Sequence, residues 1–416
     1  MGKIPENMLP PKDLWPEYLV PEEFADTPDE LNLADFLLDR HVREGRGDNP
    51  AIKFMDQTVS YAQLQEMVNK FGNSLKDADV EPQDRVGIRL VNSIQALVAI
   101  FAVEKIGAIP VPTSPLWSGE EVAFVANNAE MKFFIVNAPL MPPVEQAKPN
   151  FQFGTQVITI GGNPDEVKAA GNMVYEEMIA AGSADLEATM LKGDDIGIML
   201  YTSGTTGMPK GCVHFVKPIV IETKLVNKHV YKMVPGDCLG GAAPVSFAAG
   251  FGTFTLMPFE GGAAISLIPK FTPPDMLELI QKHKITILTG LPTGYRALMK
   301  FPKFKDYDTS SIRLYTSGGD ALGSETLSAW QKLTGLPIWE GLGGTEMLHL
   351  VTSNTMNPEP MPDSIGKALP GVEVRVVDPE WNDCEPDQVG SMVLKGPSGS
   401  LYWKPYEDNE KLIKSQ

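Results

Sequence analysis

Cysteine is scarce in this chain: three thiols, Cys212, Cys238 and Cys384, stand in 416 residues with no CxxC pair among them. That usage argues against a disulfide framework and against a zinc site, and a reducing, cytoplasmic setting is expected. Positive charge is short as well. Lys and Arg number 35 against 53 Asp and Glu, a formal net charge of -18, which argues against broad binding to nucleic acid or an anionic membrane, since both need basic surface. A small anionic ligand would therefore need a locally positive pocket. No apolar run of about eighteen residues is available for a membrane span. The opening MGKIPENMLPPKDLWPEYLVPEEF is broken by prolines and acids and lacks the apolar stretch of a signal peptide, and Glu6 stands where myristoylation wants Ser or Thr.

Several familiar catalytic loops are missing too. Lys210 is preceded by Pro209 and followed by Gly211, so the GxxxxGK[ST] phosphate loop is not met, and GxGxxG is absent from the same stretch. No GxSxG nucleophile elbow occurs; the nearest string, GPSGS, ends in Ser400 where glycine is required.

What is present is an ordinary globular composition, 43% hydrophobic and 21% charged, in a chain long enough for about two or three domains. Short β-like runs alternate with helical patterns, which predicts an α/β fold with parallel sheets covered by helices. RVGIRLVN, Arg85 to Asn92, reads as a strand, SIQALVAIFAVEKIG as a helix stopping at Gly107, AIPVPTSPL as a second strand with its loop, and KFFIVNA as a third. Residues 139–194, with the helical EVKAAGNMVYEEMIAAG, read as a looser bridge. Sheet-forming runs resume at DIGIMLYTSG and continue through KITILTGLPTGYRALMK and IRLYTSGGDAL. From Gly366 strands alternate with turns and no helix, as in a small antiparallel or barrel-like unit. The expected organisation is a first α/β subdomain over 1–190 with an N-terminal extension, a second over 191–365, and a β-rich section over 366–416.

The most informative stretch is YTSGTTGMPKG, Tyr201 to Gly211, directly behind a buried strand. Thr202, Ser203, Thr205 and Thr206 offer hydroxyls, Gly204 and Gly207 offer bare flexible backbone, and Lys210 supplies charge: a set suited to wrapping phosphate oxygens. Letter for letter this string resembles the signature loop of the adenylate-forming superfamily, which includes acyl-CoA synthetases, aryl-CoA ligases, luciferases and peptide-synthetase adenylation domains. Further strings resemble it in the same order: SGGDAL, Ser317 to Leu322; EGLGGTEMLH, Glu340 to His349, with Leu342 where tyrosine is usual; then SIGKALPG and VGSMVLKG.

The resemblance implies ATP, Mg2+ and a thiol such as coenzyme A as co-substrate. By it, Gly318, Gly319, Asp320 and Ala321 form the adenine-binding turn. Glu340, Gly341, Leu342, Gly343 and Gly344 lead to Thr345, which contacts the α-phosphate, and Glu346 holds the magnesium ion. Lys210, Thr345 and Glu346 are the implied catalytic residues. The chemistry fits such a set, because a carboxylate attacking the α-phosphorus brings two anions together and needs positive charge and donors rather than a protein nucleophile.

GLGGTEMLHLVTSN is most similar to the benzoate and aminobenzoate CoA ligase branch, and SFAAGFG, Ser246 to Gly252, resembles that branch's acyl-pocket stretch, with Ala249 where a tyrosine would stand. Phe247, Ala248, Ala249, Gly250, Leu342 and His349 are accordingly expected to line an acyl pocket that is enlarged at Ala249. Small residues at 248–250 equally suit close packing, and His349 equally suits a packed histidine.

After GPSGSLYWKPYEDNEKLIKSQ the superfamily would continue to an Arg-Thr-Gly-Asp segment and a lid domain carrying a catalytic lysine; neither precedes Gln416. The expected function is therefore that of the large domain of an AMP-forming carboxylate-CoA ligase. The alternatives are an adenylation domain loading a carrier protein and a non-catalytic binder of ATP or acyl-adenylate.

Overall fold

The structure is a computed structural model that describes residues 8–12, 15–202 and 208–404. The strand Arg85–Arg89 is buried throughout and sits inside a five-stranded parallel sheet in the order Ile109–Pro112, Arg85–Arg89, Met131–Asn137, Gln156–Ile160, Met173–Val174. Apolar runs without alternation are what a sheet covered on both faces requires. Ser93 accepts from the Ala96 amide at 3.2 Å and so starts the helix Ile94–Lys105. That helix is buried nearly all round, as expected of one held inside the protein. Its Phe101 ring meets Phe259, which covers the second sheet, edge-on at 4.9 Å.

Two features of the first sheet differ from expectation. Residues 139–194 do not merely bridge; they add the strands Gln156–Ile160 and Met173–Val174. EVKAAGNMVYEEMIAAG is not one helix but two, Pro164–Ala169 and Tyr175–Ala181. Gly171 at φ 73 turns the chain between them, and Met173–Val174 is captured by backbone pairing with Ile158 and Thr159.

The second sheet has nine strands in the order Lys367–Ala368, Leu350–Ser353, Ile338–Gly343, Leu314–Ser317, Ile287–Gly290, Cys238–Gly241, Ala264–Leu267, Pro50–Phe54, Gln57–Ser60. Its central pairs are parallel, from Ile338–Gly343 across to Pro50–Phe54, with antiparallel strands at both edges. The hairpin formed by Pro50–Phe54 and Gln57–Ser60, which falls within the expected first subdomain over 1–190, thus belongs to this sheet.

The C-terminal strands are shared out. Lys367–Ala368 edges the large sheet, Glu373–Val377 pairs with Ser391–Lys395, and Leu401–Trp403 joins Ile196–Tyr201 and Gly211–Phe215 in a three-stranded sheet. Among the described residues no barrel closes. No helix there is long and apolar enough to cross a membrane, and all of Cys212, Cys238 and Cys384 are free thiols.

Candidate active site

The signature loop joins two antiparallel strands. Tyr201 pairs with Gly211, and the Thr202 amide donates to the Lys210 carbonyl at 2.9 Å, closing the base of the hairpin. Ser203, Gly204, Thr205, Thr206 and Gly207 lie outside the described residues. Lys210 sits half-buried with Nζ 5.3 Å from the centre of the Tyr402 ring, a cation–π distance.

A cavity of about 260 Å³ opens at the carboxyl ends of the parallel strands of the large sheet, where α/β proteins commonly bind ligands. Thr289 and Gly290, Thr316 and Ser317, and Gly341 and Gly343, each pair ending its own strand, line it together with Gly318, Gly319, Gly344 and Thr345. Phe247, Ala248, Ala249 and His349 line it as well. The structure thus brings Gly318, Gly319, Gly341, Gly343, Gly344 and Thr345 together with Phe247, Ala248, Ala249 and His349, while Thr202, Lys210, Asp320, Ala321 and Glu340 do not line this cavity. Leu342 is not among the lining residues; strand alternation puts Gly341 and Gly343 at the cavity while Leu342 packs against the main core. Gly250 lines only a neighbouring cavity.

Glycine is required along this strand. A Cβ on Gly343 would come within 2.0 Å of the His349 carbonyl oxygen, and one on Gly341 within 2.7 Å of that of Thr352. Asp320 and Ala321 are exposed, and Asp320 Oδ1 accepts from the Ala321 amide. Glu340 is buried and accepts from the Leu322 amide at 2.9 Å, tying the turn over 318–322 to the strand Ile338–Gly343. Burial, with the nearby Asp363 and Asp320 charges, raises its pKa.

The Thr345–Met347 turn is held from behind at every residue. His214 Nε2 donates to the Thr345 carbonyl at 2.8 Å, Tyr402 donates to Glu346 Oε1 at 2.8 Å, and Ser398 Oγ donates to the Met347 carbonyl at 3.0 Å. Ser398 also meets the buried Glu222 carboxyl, which burial pushes up to about 8. Burial pushes His214 down to about 4. It is therefore neutral at physiological pH, with its proton on Nε2 facing the carbonyl. Sequence reading missed His214, Ser398 and Tyr402, since nothing in their local strings marks them.

Leu348 follows at φ 71 and ψ -52, and the His349 amide closes back on the Met347 carbonyl at 2.9 Å. This is a γ-turn of the rare positive-φ kind, a strained geometry. It turns the His349 ring against Gly252, where a Cβ would lie 2.2 Å from the ring. Among the described residues His349 Nδ1 and Ser317 Oγ are buried without a hydrogen-bond partner, and burial pushes His349 down to about 4. Tyr231, whose phenol burial pushes up among Thr253, Thr289 and Thr316, lines the same cavity and had no sequence signal. Asn92, at the end of the first sheet, clamps the approach to Phe247: its Nδ2 donates to the Ala243 carbonyl at 3.0 Å and its Oδ1 accepts from the Val245 amide at 2.9 Å.

Among the described residues no cluster of His, Cys, Asp or Glu could enclose a metal. Glu346 is a single half-buried carboxylate with one oxygen oriented by Tyr402. That suits a cation such as Mg2+, which takes most of its ligands from phosphate and water.

The chain is similar to known proteins over most of its length. The family described as AMP-binding enzyme matches residues 38–403. A benzoate–CoA ligase of Thauera aromatica is 28% identical over 385 residues, spanning 90% of this chain and 71% of that protein. The anthranilate CoA ligase AuaEII, solved in complex with anthranoyl-AMP, superposes with a TM-score of 0.88 at 29% identity, covering 93% of this chain and 74% of that one. A benzoate CoA ligase from Burkholderia xenovorans LB400 gives 0.82 at 26% identity, covering 92% and 75%. With the match running through both sheets and the Thr345–Glu346 turn, the chain belongs to the AMP-binding enzyme family.

Proposed function

We propose that this chain is the substrate-binding part of an AMP-forming carboxylate-CoA ligase that activates an aryl or alicyclic acid. The observation that carries the reading is the mixed character of the 260 Å³ cavity. Backbone-rich glycines and Thr345 suit a nucleotide phosphate, and Phe247, Ala248, Ala249 and His349 suit an organic acid beside it.

In this reading the adenine of ATP rests on the turn over 318–321, which Glu340 braces. Lys210, the hydroxyls of the Tyr201–Gly211 loop and Thr345 bind phosphate oxygens while the acid's carboxylate attacks the α-phosphorus and pyrophosphate leaves. Glu346 would hold Mg2+, whose part when bound is to neutralise charge on the phosphates. The neutral His349 closes the acyl end without placing a cation beside the carboxylate. A thiol, that of coenzyme A, then attacks the acyl carbonyl and AMP departs.

The test uses a stable mimic of the mixed anhydride, benzoyl-sulfamoyl-adenosine, titrated calorimetrically into the protein beside AMP. A ligand engaging both halves of the cavity should bind at least about 100-fold tighter than AMP, as expected of an analogue that spans both substrates. Equal affinity for the mimic and AMP would overturn the proposal. The Glu346→Gln variant should keep the mimic's affinity and lose most acid-dependent pyrophosphate exchange in any longer form of the chain that catalyses it.

A further inference from the structure

We infer that the acid taken by this site is longer than a single ring, with an apolar far end that passes Ala249 into a second cavity. The inference rests on the reading that the first cavity receives an acid. The second cavity measures about 770 Å³ against about 260 Å³ for the first. Pockets for ligands of drug size run from about 300 to 1,000 Å³, so the first alone is small and the two together are generous.

The cavities adjoin. Phe247, Ala249, Thr289 and Leu291 line both. At their boundary residue 249 presents only a methyl group, and Leu291 is 51% exposed, a large apolar side chain left for a ligand to cover.

The chemistry of the second cavity selects its occupant. Among the described residues no charged side chain lines it. Its deep wall is Met276, Leu288 and Leu298, all buried, and the Tyr295 hydroxyl there is already taken up by the Leu288 and Thr316 carbonyls at 2.9 and 2.8 Å. A phosphate or a second carboxylate would lose its water there without gaining a charged partner among the described residues. An alkyl or aryl extension would gain by burial alone. Gly250 differs from its neighbour. A Cβ there would meet the Pro244 carbonyl oxygen at 2.0 Å, so its smallness serves packing, whereas Ala249 is exposed and lines both cavities.

The experiment compares benzoyl- and 4-butylbenzoyl-sulfamoyl-adenosine by calorimetry on the wild type and on Thr293→Trp and Ala297→Phe. Both substituted positions line only the second cavity, and Thr293 is exposed on the helix Pro292–Lys300, so the fold tolerates the larger ring. The butyl compound should bind at least about tenfold tighter to the wild type, the range expected for a few buried methylenes. Each variant should bring that ratio to about one while AMP and the benzoyl compound bind as before. A tightly bound benzoyl compound with no gain from the butyl arm, or a gain that survives both variants, overturns the extended-acid inference and leaves the ligase reading standing. A benzoyl compound that binds no better than AMP overturns both.

Discussion

The Tyr402 hydroxyl donates to Glu346 Oε1 at 2.8 Å although 56 residues separate them. The bond depends on the last described strand, Leu401–Trp403, pairing beside Gly211–Phe215, because that pairing sets Tyr402 opposite Cys212. Tyr402 also lies under Lys210. One phenol therefore orients both the carboxylate and the cation that the proposed chemistry needs.

Tyr402→Phe should fold normally, since its ring contact with Lys210 is kept. Hydrogen bonds to charged groups contribute about 1.5–3 kcal/mol, so the affinity for Mg·ATP should fall by roughly one to two powers of ten. Binding of magnesium-free AMP should change little. Titrations with and without magnesium make the comparison, and an equal loss in both would detach Tyr402 from the metal.

Ala249→Tyr should place a phenol at the boundary between the two cavities. Small unsubstituted aryl acids should then be favoured over larger ones by about 10- to 200-fold, the scale set by one to a few methylenes. The affinity for AMP should not move. A panel of benzoates and alicyclic acids, offered as their sulfamoyl-adenosine mimics, gives the readout, and an unchanged rank order would remove Ala249 from the acyl wall.

His349 is neutral in the folded protein down to about 4, whereas in the unfolded chain it titrates near 6.5. As pH falls from 7.5 to 5.0 the unfolded state takes up a proton that the folded state refuses, so His349 makes the fold progressively less stable over that window. Glu222, raised to about 8, acts in the opposite direction, while His41 and His214, lowered to about 4 by burial, act in the same direction, and the profile of a single protein would mix them all. The difference between His349→Phe and wild type isolates His349. On going from pH 7.5 to 5.0 the variant should gain on the order of 1–2 kcal/mol relative to wild type. Urea unfolding at both pH values measures this, and a constant difference would mean that His349 is charged or exposed in the native state.

The local strings carried the chemistry and little of its support. YTSGTTGMPKG, SGGDAL and GLGGTEMLH stood out in the sequence because the phosphate and adenine contacts proposed for them call for short stretches of backbone and hydroxyl, which are contiguous in sequence. His214, Ser398, Tyr402 and Asn92 were not legible, since each acts on a backbone carbonyl or carboxylate from a distant strand or loop. Leu342 was misplaced because a motif read as a block ignores the alternation of a strand. The helix Ile94–Lys105 was legible from its apolar run and Ser93 cap. The break at Gly171 was not, because the pairing of Met173–Val174 with a neighbouring strand overrode a helical pattern.

The parallel pairing of Pro50–Phe54 with Ala264–Leu267 has a consequence for biosynthesis. When residues 50–60 leave the ribosome they can form a hairpin, but the partner on its other edge has not yet been translated. An unpaired strand edge is a template for pairing with another chain, and this one stays open until a further stretch of some two hundred residues has been made. Parallel, long-range pairing of this kind is slow to form, so the nascent chain passes through a long interval in which a chaperone, or a neighbouring nascent chain, competes for the place that Ala264–Leu267 will take.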